Sequence, residues 1–182
     1  MAKYSKLLCE DYKVRGFLRK KIVSMAKIHD IGKIKIDDQI LKKAGELSWE
    51  EYEEMKKHSE YGCQLLEEID LFEDSLEIIK HHHEHYDGTG YPWQLAGEEI
   101  PLGARLLNIC DSFDVMTTGR SYKKPLNKQQ VITEMKKNSG KQFDPEIVEA
   151  MVSLIERGKL AGAFNGSARK KQTRLREAMN TE

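Results

Sequence analysis

Residues 76–92 read Leu-Glu-Ile-Ile-Lys-His-His-His-Glu-His-Tyr-Asp-Gly-Thr-Gly-Tyr-Pro. Leu76 and Ile79 share a helical face with His82 and His83, which predicts a helix that runs on to the Asp87-Gly88 turn. Histidine on a core-facing stripe needs a partner, because unpaired burial of a polar group costs ~1–3 kcal/mol or more. The chain holds six histidines in 182 residues. They are His29, His58, His81, His82, His83 and His85, all in the first half of the chain.

The neighbouring segments are also helical. Leu18, Ile22, Met25, Ala26 and His29 recur at helical spacing from Arg15 to His29, with Gly32 placed as a C-terminal stop. Ser48 and Glu51 form a capping-box pair. It opens a helix on which Tyr52, Met55, Ser59, Gly62, Leu66 and Ile69 share a face, with His58 beside Met55 and Gly62. A helix after Pro101 carries Leu107, Asp111, Asp114 and Val115 and ends near Gly119. Two amphipathic stretches follow, Lys128 to Lys137 and Pro145 to Glu156, the second with proline in its first turn. Residues 87–101 are loop-rich, punctuated by Gly88, Gly90, Pro92 and Gly97. No sustained alternation marks a sheet. The expected fold class is all-α, a single helical domain over residues 1–164, followed by a basic tail over 165–182.

Composition narrows the function. The 30 basic and 30 acidic side chains cancel, which argues against a chain built to hold nucleic acid or an anionic membrane. No window approaches the ~20 apolar residues of a membrane span, and the first residues lack an apolar leader. Cys9, Cys63 and Cys110 form neither a C-x-x-C pair nor an even disulfide framework, so a reducing cytoplasm is expected. The tail, with Arg169, Lys170, Lys171, Arg174 and Arg176, reads as a solvated terminus before it reads as a nucleic-acid contact.

One buried histidine is usually a satisfied core residue. His29, His58, His82 and His83, together with Asp30 and Asp111 on separate helices, are more economically explained by a shared metal site. The set contains no thiolate, so a structural zinc site is not expected, and imidazoles mixed with carboxylates suit iron, manganese, zinc or nickel. Six ligands exceed the need of one four-coordinate ion, so two ions are expected, with Asp30 as the bridge. Paired metals ~3.5–4 Å apart activate water and clamp a phosphoryl group for in-line attack, which makes phosphoester hydrolysis the leading chemistry. Lys33 lies one turn beyond Asp30 and is placed to neutralise a phosphate or protonate a leaving oxygen. Arg120, Lys123 and Lys124 either hold a second phosphate or guanine edge or form an ordinary basic loop. Tyr91 either stacks on a base or packs the loop. His81 and His85 flank the ligand pair as supporting or surface residues.

These stretches also spell a family pattern. His29 to Lys33 (HDIGK), His58 to Leu66, His82 to Pro92 (HHEHYDGTGYP), Gly97 to Arg105, Asp111 to Thr117, Arg120 to Pro125 and Phe143 to Pro145 occur in order and cover about residues 5 to 160. The chain resembles an HD-GYP domain, a branch of the HD metal-dependent phosphohydrolases. The resemblance implies an HD-type helical bundle with a loop-rich GYP segment that hydrolyses cyclic di-GMP to pGpG and onward to GMP. It implies divalent metal ions, iron or manganese first, with zinc, nickel and cobalt behind them. His29, Asp30 and Asp111 would hold one ion, and Asp30, His58, His82 and His83 the next. Lys33 would act near the leaving group, while Tyr91, Asp114, Arg120 and Lys123 would contact the nucleotide.

Diguanylate cyclase domains are the partners the family associates with the GYP loop. The family also has a further histidine on an earlier helix, and His29 is the first histidine here. The chain therefore reads either as a piece of a longer sensor protein or as a member lacking that ligand. Its first metal is expected to be one protein ligand short, and a third metal is not expected. Two alternatives accompany the enzyme reading: a catalytically weak nucleotide-binding and interaction module, and a hydrolase of another cyclic dinucleotide such as cyclic GMP-AMP. Homodimer formation is left open.

Overall fold

The computed structural model describes residues 1–67, 69, 75–119 and 124–164. Nine α-helices occur among them: α1 (Ala2–Asp11), α2 (Gly16–Ile28), α3 (Asp38–Leu41), α4 (Trp49–Lys56), α5 (His58–Glu67), α6 (Leu76–Lys80), α7 (Leu102–Thr118), α8 (Lys128–Lys137) and α9 (Pro145–Glu156). Short 3₁₀ turns cover Ile31–Lys35, Gly97–Glu99 and Ala161–Ala163. The only β pairing among the described residues is two isolated bridges, Asp87 with Ala96 and Ser139 with Phe143. The all-α expectation holds. The segment beyond Phe164 and the Arg120–Lys123 stretch lie outside the described residues.

Helix α7 is the axis of the domain. Ala104, Leu106, Leu107, Ile109, Cys110 and Phe113 are fully buried on it, and α1, α2, α6, α8 and α9 pack around it. Burial of this kind drives folding at about 25 cal/mol per Å² of apolar surface removed from water. The Ser48 cap is the one that the sequence announces, and the structure adds two more. Ser48 and Glu51 form their capping box, and Asn127 and Gln130 form a second. The Asp144 side chain accepts the Glu146 and Ile147 amides at the start of α9 and also takes the Arg105 guanidinium at 2.6 Å. That nearly buried pair ties α7 to α9.

Three local expectations are corrected. The helix opened by Ser48 does not run unbroken through His58. It breaks at Lys57, and α5 restarts at His58, leaving Tyr52 and Ile69 exposed rather than on the core face. The helix before the histidine run ends at Lys80, so His82 and His83 sit in the following turn. Gly32 is not a helix stop either, because α2 ends at Ile28 and Gly32 lies inside the 3₁₀ turn. What Gly32 supplies is proximity. A Cβ there would overlap the His58 carbonyl and the Gly62 amide of α5. No side chain fits between these two stretches of backbone.

Replacing Gly32 with alanine must therefore push the turn off α5. Overpacking of this kind costs ~1–3 kcal/mol, and a backbone clash belongs at the upper end. For a chain of this size that corresponds to a Tm drop of roughly 6–12 °C in a calorimetric scan. A Gly32→Ala protein that melts with the wild type would contradict the close approach.

Candidate metal centre

The close approach at Gly32 brings three segments together: the end of α2, the start of α5, and the turn after α6. His29 caps α2, and its Nε2 lies 3.6 Å from Asp30 Oδ2 and 3.6 Å from Asp111 Oδ1 on α7. Asp30 Oδ1 is in turn 3.6 Å from His58 Nε2. At 3.6 Å these are Coulombic contacts rather than hydrogen bonds. Lys33 Nζ reaches Asp30 Oδ2 at 2.7 Å, so the one-turn spacing does bring the ammonium to the mouth.

The imidazoles are held from behind. His58 Nδ1 lies 2.7 Å from the Met55 carbonyl, and His82 Nδ1 lies 2.5 Å from the Ile79 carbonyl. A carbonyl only accepts, so each Nδ1 carries the proton and each Nε2 presents a bare lone pair. His83 Nε2 lies 3.1 Å from His58 Nε2. With the His58 nitrogen unprotonated, either His83 Nε2 supplies a proton or the two lone pairs face each other and attract a cation. The nitrogens of His58, His82 and His83 all lie within 4.8 Å of one another. His82 Nε2 and both ring nitrogens of His29 are buried without a hydrogen-bond partner. Buried orphans of this kind demand an explanation, and carbonyl-anchored imidazoles are how proteins orient metal ligands. The donor set fits a divalent cation, and the cluster could hold one.

Electrostatics divides the site. Burial lowers the pKa of His58, takes His82 down to about 3 and lowers His83 well below the ordinary range, with the neighbouring imidazoles adding to the last two. Burial also opposes charge on His29, but the carboxylates of Asp111 and Asp30 outweigh it and raise its pKa. Burial works against ionised Asp30 and Asp111 too, and His29, with Lys33 at Asp30, outweighs it and lowers both pKa values.

The other sequence candidates are placed as follows. Tyr91 stacks on His83, with ring centroids 4.9 Å apart and planes 26° from parallel. Its amide donates to the His83 carbonyl at 3.2 Å. Asp114 lies one turn beyond Asp111 on α7, with Oδ1 3.3 Å from the Met1 amino group. Arg120 and Lys123 lie outside the described residues, and Lys124 is exposed. His81 is buried between Glu77 at 3.0 Å and Glu84 at 3.6 Å, with Trp93 alongside. His85 bonds Thr89 at 3.1 Å, away from the cluster. Sequence reasoning missed Lys56, whose ammonium stands 5.6 Å over the Tyr91 ring, and Glu84, whose side chain is fully buried. Lys56 had no signal beyond its place two residues before His58. Glu84 did have one, a charged residue directly after two core-facing histidines.

A family model described as an HD domain matches residues 1–147. This chain belongs to the HD domain family. Its HHEHYDGTGYP stretch places it in the HD-GYP branch. A 3'3'-cGAMP-specific phosphodiesterase of Vibrio cholerae is 39% identical over 133 residues, covering 72% of this chain and 26% of that protein. A cyclic di-GMP phosphodiesterase of Thermotoga maritima is 42% identical over 131 residues, covering 71% and 36%. This HD domain thus spans about a quarter to a third of those relatives. Among solved structures, a cyclic GMP-AMP specific phosphodiesterase of V. cholerae aligns with TM-score 0.70 at 19% identity, covering 94% of this chain and 46% of that one. An HDGYP protein of Bdellovibrio bacteriovorus aligns at 0.68 and 18% identity, covering 85% and 50%. These two likenesses establish the helical HD fold. Among the described residues, no helix is long and apolar enough to cross a membrane.

The neutral cluster sets a pH dependence for the metal-free HD domain. Histidine in the unfolded chain titrates near 6.5. The folded pKa values of His58, His82 and His83 lie lower, so their contribution is complete above that value and is lost as pH falls and the unfolded state takes up protons. His29, shifted up, acts in the opposite direction, but it is one group against three. Asp30 and Asp111, shifted down, lose their contribution only below about pH 4. Urea melts of the chelator-treated protein should lose on the order of 2 kcal/mol between pH 7 and 5. Stability that is flat or rising over that interval would refute the neutral-imidazole arrangement.

Proposed function

We propose that this HD domain is a metal-dependent phosphodiesterase of cyclic dinucleotides, with cyclic di-GMP as the first substrate. The observation that carries the proposal is the cluster of inward-facing imidazole nitrogens of His58, His82 and His83, with Nε2 of His58 and His82 proton-free, joined through Asp30 to His29 and from His29 to Asp111. The activities of the relatives supply the substrate class. The donors are read as two groups: His29, Asp30 and Asp111 for one ion, and Asp30, His58, His82 and His83 for a second, with Asp30 shared. Iron or manganese is the preferred metal, since the set mixes imidazole with carboxylate and has no thiolate. Bound there, divalent ions would supply Lewis-acid polarisation of a phosphodiester and a nucleophile at neutral pH.

The chain's own groups would do the rest. The Lys33 ammonium, held at Asp30, offsets phosphate charge and stands ready to donate a proton to the departing ribose oxygen. Tyr91 offers an aromatic face to a base, and Asp114, Arg120 and Lys123 are proposed as nucleotide contacts. Burial of His58, His82 and His83 keeps them unprotonated at neutral pH, so they remain donors there. Residues 1–164 are read as one catalytic domain and 165–182 as a basic tail.

Asp30→Ala removes the only carboxylate within reach of both His29 and His58 among the described residues. It should lower turnover of cyclic di-GMP at least ~10³-fold, about 4 kcal/mol of barrier, and reduce bound metal from about two ions per chain. Product chromatography of pGpG and GMP alongside elemental analysis checks both, with cyclic GMP-AMP assayed in parallel to rank the substrates. A metal-loaded wild-type protein that cleaves neither dinucleotide overturns the proposal.

A further inference from the structure

Glu84 is a residue that the proposed chemistry does not use, although it lies directly beside His83. Its side chain is fully buried, and Oε1 accepts the Trp93 amide at 2.8 Å. Its backbone carbonyl accepts Asn108 Nδ2 from α7 at 2.9 Å, one turn before Asp111. The chain between Glu84 and Trp93 folds back on itself. Gly90 packs so tightly on the Glu84 and His85 backbone that a Cβ there would overlap it. The Tyr91 amide donates to the His83 carbonyl, and the Tyr91 ring stacks on the His83 ring. The loop thus leaves the histidine pair, turns at Gly88 and Gly90, and returns to it. One end of the return is fixed by the His83 carbonyl, and the other by the Glu84 side chain through Trp93.

We infer that Glu84 is a positioning residue that holds the Tyr91 ring over the mouth by anchoring the Trp93 amide, and so sets substrate affinity rather than the chemical step. This rests on the reading of Tyr91 as a base-stacking face. The imidazoles of His82 and His58 do not depend on the same tether. His82 is held by the Ile79 carbonyl and His58 by the Met55 carbonyl, and both bonds survive truncation of Glu84. Losing the Glu84 oxygen frees the Trp93 end of the loop and leaves the carbonyl anchors of His58 and His82 in place. An interaction made equally by substrate and transition state appears in KM and not in kcat.

The test compares the full chain with Glu84→Ala, Glu84→Gln, Tyr91→Ala and the Glu84→Ala/Tyr91→Ala double variant, all metal-loaded, using cyclic di-GMP. Glu84→Ala should raise KM about tenfold, the size of one base–aromatic stack, with kcat within about twofold. Glu84→Gln keeps an acceptor oxygen and should stay near wild type. The double variant should be no worse than Tyr91→Ala, since the tether acts through that ring. If Glu84→Ala does not fold, Glu84→Asp, which withdraws the oxygen by one methylene, carries the same expectation. Hydrogen exchange supplies a readout independent of turnover: the Trp93 amide should exchange faster in Glu84→Ala and not in Glu84→Gln. Additive effects in the double variant, a loss in kcat with KM unchanged, or unaltered Trp93 exchange each overturn the inference. A wild type without activity brings down the phosphodiesterase reading instead, and Trp93 exchange still decides the tether.

Discussion

The domain depends on the contact that Gly32 permits. The Ile31–Lys35 turn lies so close to α5 that a Cβ would meet the His58 carbonyl. Because the turn follows His29 and Asp30 directly, packing it there carries both toward His58. Move the turn outward by the width of a methyl group and Asp30 no longer stands 3.6 Å from both His29 and His58. Interiors are packed at crystal density, so such a displacement is not absorbed locally. The residue with no side chain is therefore what allows the charged ones to converge.

A second constraint repeats within the site. Met55 precedes His58 by three positions, and Ile79 precedes His82 by three. In each case the imidazole nitrogen donates to the backbone carbonyl three residues before it. The helical run breaks near each histidine, at Lys57 and after Lys80. The breaks lie beside the two carbonyl-held rings, and the carbonyl bond fixes the tautomer and the direction of each ring. Ile79 is fully buried, so its side chain anchors the backbone whose carbonyl faces the His82 ring.

The same breaks mark the limit of what is legible in the sequence. Long helices with strong periodicity and clear caps were read with their boundaries intact: α7 to its Gly119 stop, α8 behind Asn127, and α9 behind Asp144-Pro145. Where the backbone bends beside the histidines, periodicity misleads. Met55, Ser59 and Gly62 keep a 3.6-residue rhythm across the break at Lys57, so the sequence predicts one continuous helix there. His82 and His83 were extended into a helix for the same reason. The convergence of His29, Asp30, His58, His82, His83 and Asp111 was legible because polar groups on core stripes need partners. The tether at Glu84 was not, because its partner is a backbone amide, which no residue type announces.

The two halves of the site follow from burial and from where the carboxylates stand. His58, His82 and His83 lie deep enough that water cannot stabilise their charged forms, so they remain neutral donors. Asp30, Asp111 and Lys33 lie nearer solvent, with Asp30 43% and Lys33 37% exposed, and there opposite charges keep one another ionised. A cation entering the deep half meets the lone pairs of His58 and His82. An anionic phosphodiester approaching the outer half meets Lys33 before it meets a carboxylate, because Lys33 already covers Asp30 at 2.7 Å. Asp30 stands on the boundary and touches both halves, through His29 and Lys33 on one side and His58 on the other. A carboxylate in that position can give one oxygen to each half, and no neutral side chain of similar size could balance charge in both.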